Sequence, residues 1–163
     1  MIWDFPVVCC TIYYRVGDEW PSLKNYQTRL LMQTKVKFRS DQFASYVSDV
    51  EGPNFENGVF GKRLAEYLSE KLQNHGFEVA DCFAEDWGWE VDIKHDRNFP
   101  LFIGCGHSEE FDNAFLCFIE PDRPMIRRWF RKIDVQDVVL SLCGALKLIL
   151  ESDGEIYDID WDI

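Results

Sequence analysis

The chain has 163 residues, of which 47% are hydrophobic and 15% aromatic, and its formal net charge is -12. A chain of this length buries enough surface to fold as one domain without disulfides or a metal ion. Because the negative charge repels phosphate backbones and anionic lipid, we exclude direct nucleic-acid binding and membrane binding as functions of the chain.

The six cysteines include no C-x-x-C pair, and most of them lie in apolar runs, where free cysteine behaves as a small hydrophobic residue. No secretory signal is visible, and no apolar run approaches the roughly 20 residues of a membrane span. We therefore expect a cytoplasmic protein with reduced cysteines and no cofactor.

The first part of the chain differs in character from the rest. Residues 1–31 are rich in Trp, Tyr and Cys and contain no long periodic run. We interpret residues 1–31 as an N-terminal extension packed on the domain or on a partner, and residues 32–163 as a single domain. Trp20 and Tyr26 are the aromatic residues of the extension that we expect to contact a partner.

The next segments predict a strand and then a helix. Residues 35–40 alternate between basic and apolar side chains, which is typical of a strand with one buried face. Residues 60–75 carry a leucine at every fourth position, which predicts an amphipathic helix. Gly76 follows as the left-handed residue that ends this helix.

Four further strands are predicted before the chain is broken at Pro121. They cover residues 77–83, 86–94, 98–105 and 113–120. The connections between them are short, which favours antiparallel pairing. The clearest alternation predicts that the following side chains face the core: Trp87, Trp89, Val91 and Ile93.

A second helix and a final strand complete the predicted fold. Asp134 is the predicted N-cap of the helix, which extends to about Glu151. The last segment, residues 155–163, alternates so that Asp158, Asp160 and Asp162 lie on one side, opposite Tyr157, Ile159 and Trp161. This order of elements predicts an α+β two-layer sandwich: an antiparallel sheet of about five to six strands with two main helices on one face.

Several motifs between residues 35 and 162 resemble a family of small bacterial proteins of uncharacterised function. The motifs are Gly61-x-x-Leu64-Ala65-x-x-Leu68 with Gly76-Phe77, Glu85-Asp86-Trp87-Gly88-Trp89, Phe99-Pro-Leu-Phe-Ile-Gly-Cys105-Gly106, Phe115-Leu-Cys-Phe-Ile-Glu-Pro121 and the basic run to Ile133-Asp134. The resemblance implies a fold and no catalytic residue. By analogy, proteins of this size and style are similar to the immunity proteins that neutralise bacterial toxins.

Two acidic segments are the candidate partner-binding surface. Their carboxylates are those of Glu85, Asp86, Glu90 and Asp92 in the middle of the chain and of Asp158, Asp160 and Asp162 at its end. If the two strands are neighbours, these groups form one negative surface that fits the basic groove of a nuclease or of another nucleic-acid-binding protein. The alternative is that the charges only protect an edge strand from aggregation.

A basic run provides a candidate anion-binding site. Its residues are Arg123, Arg127, Arg128 and Arg131, with Trp129 and Phe130 among them. Arginine binds phosphate or carboxylate through paired N–H groups and stacks on aromatic rings. The alternative is that these side chains pair with the chain's own acidic segments.

Catalytic and metal chemistry has weaker support. Cys105, His107 and Cys117 have the residue types of a zinc site or of a cysteine nucleophile. Their spacing does not fit a usual zinc motif, and both cysteines fit core positions in facing strands. We therefore predict no metal site and no catalytic residue.

The prediction for function is a non-catalytic, acidic inhibitor or immunity-type factor that binds another protein with a basic surface. One alternative is a small enzyme or ligand-binding domain, with Asp86, His107 and the Arg127/Arg128 pair at the mouth of a pocket. A second alternative is a structural or adaptor dimer. The sequence leaves open whether the protein is a monomer or a dimer.

Overall fold

A computed structural model describes residues 33–43, 61–97, 99–108, 110–128 and 130–161. Over these residues the chain forms eight strands, two α-helices and one 3-10 turn. In chain order they are β1 (Lys35–Arg39), the 3-10 turn (Asp41–Phe43), α1 (Lys62–Asn74), β2 (Glu78–Glu85), β3 (Gly88–Lys94), β4 (Phe102–His107), β5 (Ala114–Glu120), β6 (Met125–Arg128), β7 (Arg131–Asp134), α2 (Gln136–Ser152) and β8 (Tyr157–Trp161).

Six of the strands form one antiparallel sheet in the order β2-β3-β4-β5-β1-β8. The remaining two strands, β6 and β7, form a separate hairpin. Both helices pack on the same face of the six-stranded sheet. The predicted α+β fold class is confirmed, and we call the face that points away from the helices the outer face.

The core lies between the helices and the sheet. The leucines of α1 recur every four residues, so Leu64, Leu68 and Leu72 share one stripe, and all three are fully buried. Each such side chain stabilises the fold by roughly 2 kcal/mol through removal from water. The core residues contributed by the sheet include Val36, Phe38, Val91, Ile103, Cys105, Cys117 and Ile119. Gly76 ends α1 with a φ of 83°, as predicted.

A hydrogen bond between side chains joins the two helices. Tyr67 of α1 donates its hydroxyl to Oδ2 of Asp153, which follows α2, at 2.7 Å. Burial and this hydrogen bond raise the pKa of Tyr67. The backbone N–H of Glu155 and the Tyr67 hydroxyl lower the pKa of Asp153. The contact therefore fixes the chain at the point where it leaves α2 for β8.

The β6–β7 hairpin was not predicted. Ile126 and Ile133 lie opposite each other in it and pack against the core cluster. At its base, the N–H of Val135 donates to the carbonyl of Pro124 at 3.0 Å. Asp134 is the last residue of β7 and accepts the Gln136 N–H at 3.0 Å. The predicted N-cap was therefore wrong by one residue, because Val135 precedes the first turn of α2.

Two aromatic residues lie on the opposite face from the one predicted. Trp87 is part of the Asp86–Trp87 turn, which interrupts the alternation before β3 starts at Gly88, and it is 42% exposed. Asp158 has a φ of 52° and the β1–β8 register shifts beside it, so Tyr157 pairs with Arg39 and points outward. The strict alternation that predicted both residues in the core does not extend through the turn or the bulge.

No helix among the described residues combines the length and the apolar character that crossing a membrane requires.

Candidate functional site

The outer face of strands β2 to β5 carries aromatic and acidic side chains side by side. Val91 and Ile93 point toward the helices, so Glu90 and Asp92 point outward. In the ladder, Glu90 lies between Phe83 of β2 and Gly104 of β4. We use the name outer patch for the six residues Phe83, Trp87, Glu90, Asp92, Phe102 and Phe118.

Three rings of the outer patch form a continuous surface around Gly104. Gly104 pairs with Phe118 across β4 and β5, and a Cβ added to Gly104 would lie 2.3 Å from Cζ of Phe118. The Phe118 ring therefore covers the glycine. The Trp87 ring centroid lies 5.1 Å from that of Phe118, and the Phe102 centroid lies 6.3 Å from it on the other side. These separations are typical of interacting aromatic pairs.

The missing side chain of Gly88 leaves space that the backbone of strand β4 occupies. A Cβ at Gly88 would lie 2.4 Å from the carbonyl oxygen of Cys105 in β4. The same oxygen would lie 2.6 Å from a Cβ at Gly61, the residue before α1. Both glycines are therefore required by the close packing of the turn and the helix start against β4.

The carboxylates of this region repel one another. Asp81 of β2 lies opposite Asp92 of β3, and like charges in directly opposed positions destabilise a sheet. Partial burial raises the pKa of Glu90, and repulsion from Asp92 and Glu85 raises it further. Within the part of the chain that the structure describes, no ion pair includes Asp81, Glu90 or Asp92. The outer patch therefore has an excess of negative charge beside its aromatic rings.

This arrangement can bind cationic side chains of another molecule. A guanidinium or ammonium group placed over an aromatic face contributes about 0.5–2 kcal/mol, depending on its exposure. The neighbouring carboxylates accept charge-assisted hydrogen bonds, which are stronger than neutral ones. Aromatic rings beside acceptor-only groups thus favour a partner that presents arginine or lysine.

The two predicted acidic segments do not form one surface. β2 and β8 are the opposite edges of the sheet, and β3 is separated from β8 by three strands. At about 4.8 Å per strand, this places the two groups of carboxylates roughly 19 Å apart. The condition for one merged surface, that the two strands are neighbours, is therefore not met. The neighbours of β8 could not be inferred from its alternation.

The acidic residues of β8 lie beside basic residues of β1. Asp160 pairs with Lys37 in the ladder, and Oδ2 of Asp158 is 3.5 Å from Nη1 of Arg39. Part of the charge at this edge is therefore compensated within the chain. Among the other predicted partner-binding residues, Glu85 ends β2 and Asp86 lies in the following turn. Asp162, Trp20 and Tyr26 lie outside the described residues, as does the proposed extension 1–31.

The arginines predicted to bind an anion lie in and beside the hairpin. Arg123 precedes β6 and is 3.1 Å from the carboxylate of Asp122, its neighbour in the chain. Arg127 is exposed and pairs with Lys132, and Arg128 pairs with Arg131. The alternative prediction, that these arginines pair with acidic residues of the same chain, therefore holds for Arg123. No ion pair between described residues includes Arg127 or Lys132.

The pocket predicted as the alternative site does not assemble. The turn that holds Asp86 adjoins the end of β4 at His107, since Trp89 pairs with Cys105. The hairpin follows the other end of the sheet, because β5 ends at Glu120, which pairs with Phe102, the first residue of β4. The arginines therefore lie beyond the opposite ends of these strands from Asp86 and His107.

Cys105, Cys117 and His107 are packed as structural residues of the sheet. Cys105 and Cys117 are opposite each other in β4 and β5, and both are fully buried. Burial raises the pKa of Cys105, and a hydrogen bond with Cys117 raises it further, which favours the thiol over the reactive thiolate. His107 packs its ring edge on Phe115 at 5.9 Å. Among the described residues, no group of three or more His, Cys, Asp or Glu could hold a metal ion.

The sequence prediction missed Phe83, Phe102 and Phe118 as surface residues. β4 and β5 are apolar on both faces, so their alternation does not tell which side meets the helices. One signal was present: Gly104 and Gly106 occupy alternate positions, which indicates a face where a neighbouring side chain lies over the backbone.

The chain matches no protein-family model, no curated protein and no solved structure.

Proposed function

We propose that the protein binds another protein through the outer patch and that the bound segment of the partner is rich in arginine or lysine. The observation that carries this proposal is the combination of three contacting rings with uncompensated carboxylates on the face opposite the helices. Trp87 is the most exposed ring of the three, at 42%. Interface residues of this type commonly contribute 2 kcal/mol or more to binding.

In its more specific form the proposal is an inhibitor of the immunity type. An acidic surface steers the protein toward a basic active-site groove, such as that of a nuclease, and the rings then slow its dissociation. Three cysteines that the structure describes, Cys82, Cys105 and Cys117, are free, which fits a reducing compartment such as the cytoplasm.

The test compares capture of partner proteins by variants of the tagged full-length protein. Trp87→Ala removes an aromatic contact of the outer patch, and Glu90→Gln with Asp92→Asn removes its charge. Asp158→Asn is the matched control, because it neutralises a carboxylate at the far edge of the sheet. Captured proteins are identified and quantified by mass spectrometry from the source organism's extract.

Support for the proposal requires a basic protein that binds the wild type and Asp158→Asn equally and is lost from both outer-patch variants. The inhibitor form further requires that the purified protein reduces the activity of that partner. If every captured protein binds all variants equally, the outer patch is not the binding surface and the proposal is rejected.

A further inference from the structure

The β6–β7 hairpin carries an unusual concentration of like charge. Its ladder places Arg127 opposite Lys132 and Arg128 opposite Arg131. Like charges in directly opposed positions are destabilising, and Arg127 and Lys132 form such a pair. Since no ion pair between described residues includes Arg127 or Lys132, this part of the chain provides no compensation for them. In the hairpin, residues 125–134, Arg127 and Lys132 therefore have no anionic partner among the residues that the structure describes.

One apolar side chain near the tip of this hairpin is almost fully exposed. β6 ends at Arg128 and β7 starts at Arg131, and Phe130 in the connection is 99% exposed. Met125, at the base of the hairpin, is 50% exposed. Covering the exposed Phe130 ring with an aromatic surface is favourable, because it removes apolar area from water.

The base of the hairpin is held in place. Arg97, which follows β3, donates two hydrogen bonds to the carboxylate of Asp137 at the start of α2. It also donates to the carbonyl of Asp134 at 3.4 Å. Together with the packing of the partly buried Ile126 and Ile133 against the core, these contacts fix the direction of the hairpin before it binds anything, which reduces the entropy cost of binding.

The outer patch has the complementary chemistry. It offers the exposed Trp87 ring where the hairpin offers Phe130. Its Asp92 lies opposite Asp81 of β2 as an uncompensated carboxylate pair, whereas the hairpin has an uncompensated cationic pair. The hairpin packs against the core on the helix side of the sheet, whereas the outer patch lies on the opposite face. The hairpin therefore does not lie over the outer patch of its own molecule.

We infer that two copies of this protein associate, with the β6–β7 hairpin of each copy bound to the outer patch of the other. This inference rests on the proposed function, because it assigns a second occupant to the same surface. Self-association covers the outer patch and thus competes with the partner protein. The two contacts are reciprocal, so the interface is isologous and closes into a two-fold symmetric dimer.

The long-range charge of the molecule does not prevent this contact. Each copy carries -12, which opposes association at a distance. At physiological salt the Debye length is about 8 Å, so this repulsion is largely screened while charges in direct contact still interact. Association is therefore expected near physiological salt and is expected to weaken when salt is raised further.

The test is sedimentation velocity of the full-length protein in the presence of a reductant, over a wide range of concentrations. Arg127→Glu is compared with Arg123→Glu, which makes the same change in net charge outside the hairpin. Arg127→Glu is expected to weaken self-association about 100-fold, the effect of several kcal/mol of like-charge contact. Arg123→Glu is expected to leave it within about 3-fold of the wild type, as for an exposed surface pair.

A mixing experiment identifies the two surfaces that meet. A hairpin variant with Arg127→Glu and Lys132→Glu is mixed with a patch variant with Glu90→Lys and Asp92→Lys, after circular dichroism has established that each is folded. Neither variant is expected to associate alone, whereas the mixture is expected to recover most of the wild-type association. A folded pair that fails to associate when mixed overturns the inference, as does a wild type that stays monomeric at every concentration.

The two proposals can fail separately. A monomeric wild type whose partner is lost on Trp87→Ala rejects self-association and retains partner binding. A wild type that dimerises, but whose captured proteins are unaffected by the outer-patch variants, rejects partner binding and retains self-association. If both proposals hold, Arg127→Glu is expected to increase partner capture, because it frees the patch.

Discussion

Phe118 lies directly opposite Gly104 in the β4–β5 ladder, and its ring occupies the space that a side chain at position 104 would need. The two residues together set the shape of the outer patch. A glycine in a central strand lowers the stability of the sheet, and the aromatic ring across from it restores part of the missing packing. The pair therefore links the local backbone to the surface that we propose for binding.

Replacing Gly104 is expected to displace the Phe118 ring, which is part of the outer patch. In Gly104→Ala the new Cβ would lie 2.3 Å from the Phe118 ring, which must move. We expect a loss of about 1–3 kcal/mol in the free energy of unfolding, measured with urea, and loss of partner capture. Gly106→Ala is the control, because its Cβ would meet nothing closer than the Trp87 carbonyl at 3.6 Å. Equal losses for the two variants would contradict the role of the Phe118 ring.

Glu90 is expected to lower stability at neutral pH. Its folded-state pKa is above the ordinary value of 4.5, so its ionised form is less favourable in the folded protein than in the unfolded chain. We expect Glu90→Gln to raise the melting temperature at pH 7, and the difference to disappear as the pH falls below 4.5. Glu78→Gln should instead lower the stability at pH 7, by at most about 1 kcal/mol in the free energy of unfolding, since Glu78 forms an exposed ion pair with Lys94 at 2.5 Å. A Glu90→Gln variant less stable than the wild type at pH 7 would count against this assignment.

The Arg97–Asp137 pair is expected to fix the base of the hairpin in a pH-dependent way. The hydrogen bond from Arg97 lowers the pKa of Asp137 to about 2, from the ordinary value of 3.8. Its contribution to stability is therefore complete above pH 3.8 and declines as the pH falls toward 2. In Arg97→Ala, carboxyl NMR titration is expected to show the pKa of Asp137 moving back toward 3.8. An unchanged titration would mean that Arg97 does not hold this carboxylate.

The Tyr67–Asp153 hydrogen bond is expected to contribute to stability more than a comparable surface contact does. Tyr67→Phe removes a half-buried donor to a carboxylate, and we expect a loss of about 1 kcal/mol in urea unfolding at pH 7. The lowered pKa of Asp153 means that this loss should shrink in acid, as Asp153 becomes protonated. Tyr157→Phe is the matched control, because its hydroxyl accepts only an exposed hydrogen bond from Asn113. It is expected to change stability by less than about 0.5 kcal/mol.

The parts of the fold that were predictable are those in which one local pattern decides the outcome. The leucines of α1 repeat at four-residue spacing, and burial of Leu64, Leu68 and Leu72 follows from helix geometry alone. Val91 and Ile93 alternate with charged residues, so the strand pattern alone predicts that both side chains point to the core. In these segments no information from the rest of the chain is needed.

The candidate site was less predictable because it depends on pairing between distant segments. Asp92 and Asp160 have the same alternating context, yet one lies in a negative region and the other beside Lys37. The bulge at Asp158 turns Tyr157 outward. Aspartate is enriched at positive φ, but that enrichment does not distinguish Asp158 from the other aspartates of the chain. The β6–β7 hairpin was missed because its strands are short and its basic side chains resemble a loop composition.

The position of β1 has a consequence for synthesis of the protein on the ribosome. β1 is the first strand of the chain that the structure describes, yet its two neighbours, β5 and β8, begin at Ala114 and Tyr157. Val36 and Phe38 therefore stay without ladder partners until well over half of the polypeptide has emerged. During that interval the nascent chain exposes the apolar face of this strand to the crowded exit region, where early binding by a chaperone would protect it from aggregation.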